Sequence, residues 1–327
     1  MWKPASIFFP LVTGIVACTG LPILDSLAQS YPVKPIRLFV GFTAGAAPDG
    51  IARTLAPTLS EALGQTVVVE NRGGAGGSIA TAAVAKSPAD GYTLLMMAAA
   101  DTLQPALRRN LPYDVARDLA PVSMVVTGTA VLSIHPSLPV RDIKGLIALA
   151  RAHPGKLNYG SSGIGSSSHL MGELFNSMAG VKITHVPYKG SADSAIATAA
   201  GHIEISFPSI VAVGPLVEAK KLRPLAVTSA KRASLMPSLP TISEAGLPGY
   251  DRSTWFGVVA PTGVAKDIVT RLNTVIGKVV HTAEIKALLM KQGLEPQTNT
   301  PEEFGAFIQA QLKQNAKLIK LSGIKTD

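Results

Sequence analysis

Ile36-Arg37-Leu38-Phe39-Val40-Gly41-Phe42-Thr43-Ala44-Gly45-Ala46-Ala47-Pro48-Asp49 is the stretch whose reading decides the fold. Its first five residues are a short apolar run of the kind that fills a buried strand. Gly41 to Pro48 is rich in small residues and reads as a turn. From Asp49 the period changes: Ile51, Leu55, Leu59 and Leu63 recur every fourth residue and make one apolar helix face. Asp49 stands where an N-cap belongs. Strand, glycine turn and helix is the opening of an α/β unit.

The rhythm continues outward. Thr66–Glu70 is a second strand, Gly73-Gly74-Ala75-Gly76-Gly77 a glycine loop, Ser78 to Lys86 a small-residue helix, and Tyr92 to Met97 a third strand. This βαβαβ order predicts a mainly parallel sheet flanked by helices. It resumes after Pro121, with strands over Ala130–Ile134, Leu157–Tyr159, Ile183–Val186, Ile203–Phe207 and Leu225–Val227. Helices are expected over Asp142–Ala152, Ser166–Met178 and Ser191–Ala200. A proline- and glycine-rich stretch (Pro237, Pro240, Gly246, Pro248, Gly249) interrupts the pattern. A strand over Trp255–Ala260 follows, then helices over Lys266–Val280, Glu284–Lys291 and Pro301–Leu321. No short-period repeat is visible. Two α/β units with a break near 240–250 suit two lobes between which the chain crosses more than once.

Composition narrows the class. In 327 residues, 47% are hydrophobic and 16% charged, which excludes a disordered chain and makes two domains the default. One cysteine excludes a disulfide framework and a cysteine-based zinc site. Lys+Arg is 30 and Asp+Glu is 21, a net charge of +9. The basic residues are scattered as pairs (Arg108-Arg109, Lys220-Lys221, Lys231-Arg232) without interleaved aromatics, so no nucleic-acid partner is expected. The six histidines show neither H-x-x-x-H nor H-E-x-x-H spacing, so no metal and no other cofactor is expected.

The N-terminus reads as an export signal. Lys3 precedes an apolar run from Ile7 to Leu24, broken by Pro10, Gly14, Gly20 and Pro22. Ser26-Leu27-Ala28 offers small residues for cleavage, so residues 1–28 are expected to be removed. Ile15-Val16-Ala17-Cys18 resembles a lipoprotein processing site, with Cys18 as the alternative anchor. Either route carries the protein out of the cytoplasm, to the periplasm, where capture, hydrolysis, adhesion and sensing are the usual tasks.

Two turns share one plan. Val40 to Asp49 and Asn158 to Ser166 each join a strand to a helix through glycines. Helix N-termini at the carboxyl edge of a sheet bind anions, because unpaired amides and the helix dipole both favour negative charge. Glycines also serve simply to allow a tight bend, but two such turns in different lobes point to one shared anionic ligand. Nucleotide motifs fail: G-x-x-x-x-G-K-[ST] is absent, and Ser168 replaces the last glycine of a G-x-G-x-x-G begun at Gly163. Ser161, Ser162, His169, His185 and Asp193 lie close in sequence, yet the nucleophile elbow G-x-S-x-G is absent because position 164 is Ile. Lys189, in Tyr188-Lys189-Gly190, either complements an anion at this edge or is a solvated loop lysine. Asp101 either meets a ligand donor or caps the segment containing Thr102 and Leu103.

Several stretches together resemble the substrate-binding proteins of the tripartite tricarboxylate transporter system, also called Bug receptors. They are Tyr31 to Ile36, Gly41 to Asp49 with Ala52-Arg53, Val69 to Gly77, Asp90 to Leu94 and Asn110 to Asp114. Tyr159 to Leu170 with Glu173-Leu174-Phe175, His185 to Gly190, Trp255-Phe256-Gly257 and Ala260 to Gly263 complete them. The resemblance runs in order from about residue 31 to residue 327. It implies a periplasmic-binding-protein type II fold, α/β throughout, with two lobes and a ligand cleft between them. Lobe 1 is expected over residues 29–130 plus 250–327, and lobe 2 over 131–249.

The resemblance further implies capture of a small organic carboxylate by a monomer that delivers it to membrane permease subunits, with no catalytic residues. Carried over, the ligand residues are Phe42, Thr43, Ala44, Gly45 and Asp49, then Ser161, Ser162, Gly163 and Ser166, with Tyr188, Lys189 and Gly190 nearby. Asp101 and Thr102 join them, because the matching loop in relatives is usually uncharged, and Asp101 would then select ligands with a donor beside the carboxylate. Many relatives have a Gly-Gly pair where this chain has Gly45-Ala46, and a positive φ at Ala46 would be strained. Two other functions fit an exported chain of this kind: a ligand-presenting component for a signalling kinase, and a serine hydrolase using Ser162.

Overall fold

A computed structural model describes residues 1–2, 31–164 and 166–322. The expected signal segment, its cleavage point and Cys18 lie outside the described residues.

Among the described residues there are eleven strands: β1 (Ile36–Val40), β2 (Val67–Asn71), β3 (Thr93–Ala98), β4 (Leu119–Gly128), β5 (Val131–Ile134), β6 (Asn158–Ser161), β7 (Thr184–Pro187), β8 (Ile205–Ser206), β9 (Arg223–Val227), β10 (Thr254–Pro261) and β11 (Leu294–Pro296). They form a six-stranded sheet, β11-β4-β10-β3-β1-β2, and a five-stranded sheet, β7-β6-β8-β5-β9. Two α/β lobes result, each built on its own sheet.

β1 explains why a continuous apolar run is needed. Ile36, Leu38 and Val40 pack on one side with Ile51, Leu55 and Leu59 of the helix Ala47–Leu63. Phe39 points the other way, into a cluster with Leu95, Met97, Trp255 and Phe304. A sheet covered on both faces has no polar side to alternate with. Fully burying each of these side chains contributes about 1.5–3 kcal/mol.

The sheets are mixed rather than mainly parallel. β1 pairs parallel with β2 and β3, but β10 runs antiparallel to β3 and β4, and β11 antiparallel to β4. In the second sheet β6 is parallel to β7 and β8, while β5 is antiparallel to β8 and β9. The antiparallel pairs lie where the chain changes sheet. β4 is the largest departure from expectation: Pro121 reads as a break, yet it lies inside this strand. The register shifts between Val258 and Val259, opposite Ser123 and Pro121, so a bulge accommodates the residue that cannot donate to the ladder. The helix Ile210–Glu218 was also unexpected, because it contains Pro215.

These directions set the position of any site. The carboxyl ends of β1, β2, β3 and β4 share one edge of the first sheet, and those of β6, β7, β8 and β9 share one edge of the second. The chain passes directly from β4 to β5 and returns from β9 to β10. The two passages are tied together: Ala130 N donates to Thr228 Oγ1 at 3.1 Å, Thr228 N donates to Ala130 O at 3.0 Å, and Thr129 Oγ1 donates to Ser229 Oγ at 2.9 Å. The helix Pro301–Ser322 is a third link. Phe304 and Ile308 pack beside the first sheet, whereas Leu318 and Ile319 belong to the core of the second.

Candidate functional site

The turn after β1 is shaped by Asp49. Its helix begins at Ala47, with Ala46 as N-cap and Pro48 in the first turn, where a missing N–H costs nothing. Asp49 is therefore a first-turn residue and not the N-cap. It is 3% exposed. Oδ2 accepts from Gly45 N at 2.8 Å, and Oδ1 accepts from Arg53 Nε and Asn71 Nδ2, both at 2.9 Å. Asn71 Nδ2 also lies 3.1 Å from Phe42 O. Burial works to raise the Asp49 carboxyl, but the Gly45 amide, Arg53 and Asn71 together hold it below the ordinary range. The left-handed residue is Gly45 (φ +84°), and Ala46 is extended (φ −70°), so the extra Cβ causes no strain.

The glycine loop after β2 closes on this turn. A Cβ at Gly41 would lie 2.7 Å from Gly77 Cα, and one at Gly73 would lie 3.3 Å from the Phe42 backbone. Beneath Gly77 sits Asp101, 1% exposed. Its Oδ2 accepts from Ala98 N at 2.7 Å and its Oδ1 from Thr81 Oγ1 at 3.1 Å. Burial pushes its pKa up to about 6 against these two hydrogen bonds. Thr102 is buried too, donating to Ala99 O and accepting from Asn315 Nδ2 at 3.0 Å. Phe42 is half-buried, while Thr43, Ala44 and Gly45 are exposed.

The turn after β6 is built without fixed charge. Ser166 caps the helix Ser167–Ala179, its Oγ accepting from His169 N. Ser162 N donates to Ser168 Oγ at 2.9 Å, and Gly163 (φ +116°) donates to Ser161 Oγ at 3.0 Å. By helix geometry the first-turn amides of Ser167 and Ser168 have no partner inside the helix. Ser162 and Gly163 are half-buried. The β7 turn lies alongside: Tyr188 N donates to Ser161 O at 2.9 Å, and the Tyr188 ring borders Gly160. Lys189 is exposed and Gly190 half-buried. Among the described residues, Ser162 meets the Ser168 hydroxyl here, Oγ to Oγ at 3.0 Å. The serine of this turn that touches a histidine ring is Ser161, fully buried, 2.6 Å from His185 Nε2.

The two groups of expected residues thus occupy the carboxyl edges of the two sheets. Sequence reading missed the side chains that hold them: Asn71 and Arg53 on one side, and Ser168, His185, Glu173 and Tyr159 on the other. Asn71 and Glu173 stood inside stretches already singled out, but nothing in their spacing assigns them a partner. A cavity of about 460 Å³ opens at the strand crossing, lined in part by Thr127, Lys231, Arg232, Asp251, Trp255 and Glu295. Its lining carries charges of both signs and none of the expected ligand residues, so the turns remain the candidate site. Among the described residues no group of three or more His, Cys, Asp or Glu is placed to hold a metal, and no helix is long and apolar enough to cross a membrane.

The family profile described as "Tripartite tricarboxylate transporter family receptor" matches residues 51–324. The chain belongs to this family. Protein BugT of Bordetella pertussis is 37% identical over 316 residues, covering 96% of this chain and 97% of BugT. The solved structure of R. palustris Rpa4515 with adipate is 41% identical, with a TM-score of 0.74, over 91% of this chain and all of that one. MatC from Rhodopseudomonas palustris with bound malate is 26% identical, with a TM-score of 0.71, over 88% of this chain. The family is one of periplasmic substrate-binding receptors, and the two-lobed architecture above is its type II binding-protein fold.

Proposed function

We propose that this receptor closes its two lobes, residues 29–130 with 250–327 and residues 131–249, on a small organic carboxylate. It then presents that molecule, chemically unaltered, to the membrane subunits of a tripartite permease. The observation that supports the reading is that a strand–glycine turn–helix unit stands on the carboxyl edge of each sheet, the two sheets being linked by the β4–β5 and β9–β10 passages. The charge of the ligand is met by amides of Phe42 to Ala44 and of the helix starting at Ser167, each contact contributing about 0.3–1 kcal/mol. Several are required for micromolar binding, roughly −8 kcal/mol.

Asp49 shapes the first turn, and Ser161, Ser162, Gly163 and Ser166 shape the second. Tyr188, Lys189 and Gly190 border it. Asp101 and Thr102 support the first turn from below. The chain acts as a monomer, exported by residues 1–28 or anchored at Cys18, and the intact mass of the exported protein distinguishes these routes.

Adipate, bound by the 41% identical relative, is the first ligand to test. In a thermal-shift screen of dicarboxylates, aromatic acids and amino acids, a true ligand at about 100 times its Kd adds roughly 2.7 kcal/mol of stability. A protein that no carboxylate shifts overturns the proposal.

A further inference from the structure

Behind the turn after β6 runs a chain of side chains that the ligand reading leaves unused. Ser161 Oγ lies 2.6 Å from His185 Nε2 and 3.1 Å from Gly163 O, and it accepts from Gly163 N at 3.0 Å. The rings of His185 and His169 stack with centroids 3.9 Å apart and planes 22° apart. His169 Nε2 lies 3.9 Å from Glu173 Oε1, which accepts the Tyr159 hydroxyl at 2.6 Å. Ser161 is 0% and His169 4% exposed, and a Cβ at Gly172 would collide with the Tyr159 ring. His185 thus sits one hydroxyl away from the Gly163 amide of the turn, with His169 stacked behind it. That turn holds no fixed cation of its own: Lys189 is in solvent, and Arg53, on the other lobe, is committed to Asp49 and Asn71.

We infer that the stacked His185–His169 pair takes up one proton from solvent when a carboxylate binds this turn, and so supplies the positive charge that the empty site lacks. The inference rests on the carboxylate reading. In the empty protein burial holds both rings neutral, pushing His169 down to about 4 with help from His185, and lowering His185 as well. A bound anion acts in the opposite direction, because a nearby negative charge favours imidazolium. Uptake stops at one proton, since a second would set like charges on stacked rings.

Among the described residues, the titratable groups seen facing the pair are compatible with this charge. They include Glu173 on the helix Ser167–Ala179, whose carboxyl burial raises, and the phenol of Tyr159 on β6. The hydrogen bonds survive as well. A protonated His185 donates from Nε2 to Ser161 Oγ, and the serine proton then goes to Gly163 O, which leaves the turn in its shape. His185 is therefore a positioning residue in the resting turn and a source of charge in the occupied one.

Calorimetric titration of adipate near pH 6.5, in phosphate and in Tris, tests this. The two buffers release protons with different heats, so proton uptake appears as a difference in binding enthalpy. Between pH 8 and pH 6 the wild-type affinity should rise severalfold, approaching tenfold per unit at full coupling. His185→Gln keeps a donor for Ser161 but cannot titrate, and should show no uptake and a flat pH profile. Equal heats in the two buffers for the wild type, a measurement that needs no variant, overturn the inference and leave the carboxylate reading intact. Uptake undiminished in H185Q also overturns it. Failure of adipate, malate and every other screened carboxylate to bind overturns both.

Discussion

The turn after β1 is held by a buried carboxylate paired with an exposed arginine, whereas the turn after β6 is held by neutral groups, the histidine-bonded Ser161 among them buried. Asp49, Arg53 and Asn71 fix the first with charge-assisted hydrogen bonds. Ser161, Ser168 and His185 fix the second with hydroxyls and an imidazole. One strand–turn–helix plan therefore admits two ways of holding a glycine turn in shape. Asp49 in the first is held below the ordinary carboxylate range and stays charged at neutral pH, whereas the second, as inferred above, is coupled to a titrating histidine pair.

The difference has measurable consequences. Asp49→Ala strands a glycine amide, an asparagine amide and an arginine, and should cost about 3 kcal/mol in urea unfolding. Ser161→Ala removes neutral hydrogen bonds and should cost about 1 kcal/mol. Equal costs would erase the contrast between the turns. A smaller effect concerns the opposite pH responses of the two edges. Asp101 binds its proton more tightly in the fold than at its ordinary pKa of 3.8, so its favourable contribution is complete below about pH 4 and is lost as pH rises through about 6. Both histidines are shifted down by burial, so their contribution is present above the ordinary 6.5 and is lost as pH falls below it, for His169 toward about 4. Asp101→Asn, which keeps an acceptor for Ala98 N and a donor for Thr81, should match the wild type at pH 4 and exceed it by about 2 kcal/mol at pH 7.5. Thermal melts across pH would show a constant gap if Asp101 were not the titrating group. The smallest effect separates the two glycines. Gly45→Ala, with open space around it, should cost about 1 kcal/mol. Gly163→Ala, further from the left-handed well at φ +116°, should cost roughly 1 kcal/mol more.

The parts of this molecule that were legible in sequence are those whose cause is local. Ile36–Val40 and the four-residue stripe from Ile51 to Leu63 announce a strand and a helix because burial on a fixed period leaves a mark in the chain. Pro121 concealed β4, since the bulge that accommodates it depends on the partner strand β10. The two candidate turns were visible through their glycines. The groups that hold them were not: Ser161 and His185 are 24 residues apart and meet only because β6 and β7 pair in register. Asp101 looked distinctive because it is charged, but its neighbours Ala98 and Thr81, which occupy both its oxygens, come from β3 and the helix Ser78–Ala85.

The helix Pro301–Ser322 is a rod about 33 Å long, with its two ends embedded in different cores. Arg252, on the return passage, donates to Asn315 near the far end, and Asn315 donates in turn to Thr102. A joint made of two strands alone could bend and twist. A stiff pin seated in both halves adds a third tie beside the two strands, so any swing of the halves has to keep both ends of the rod packed.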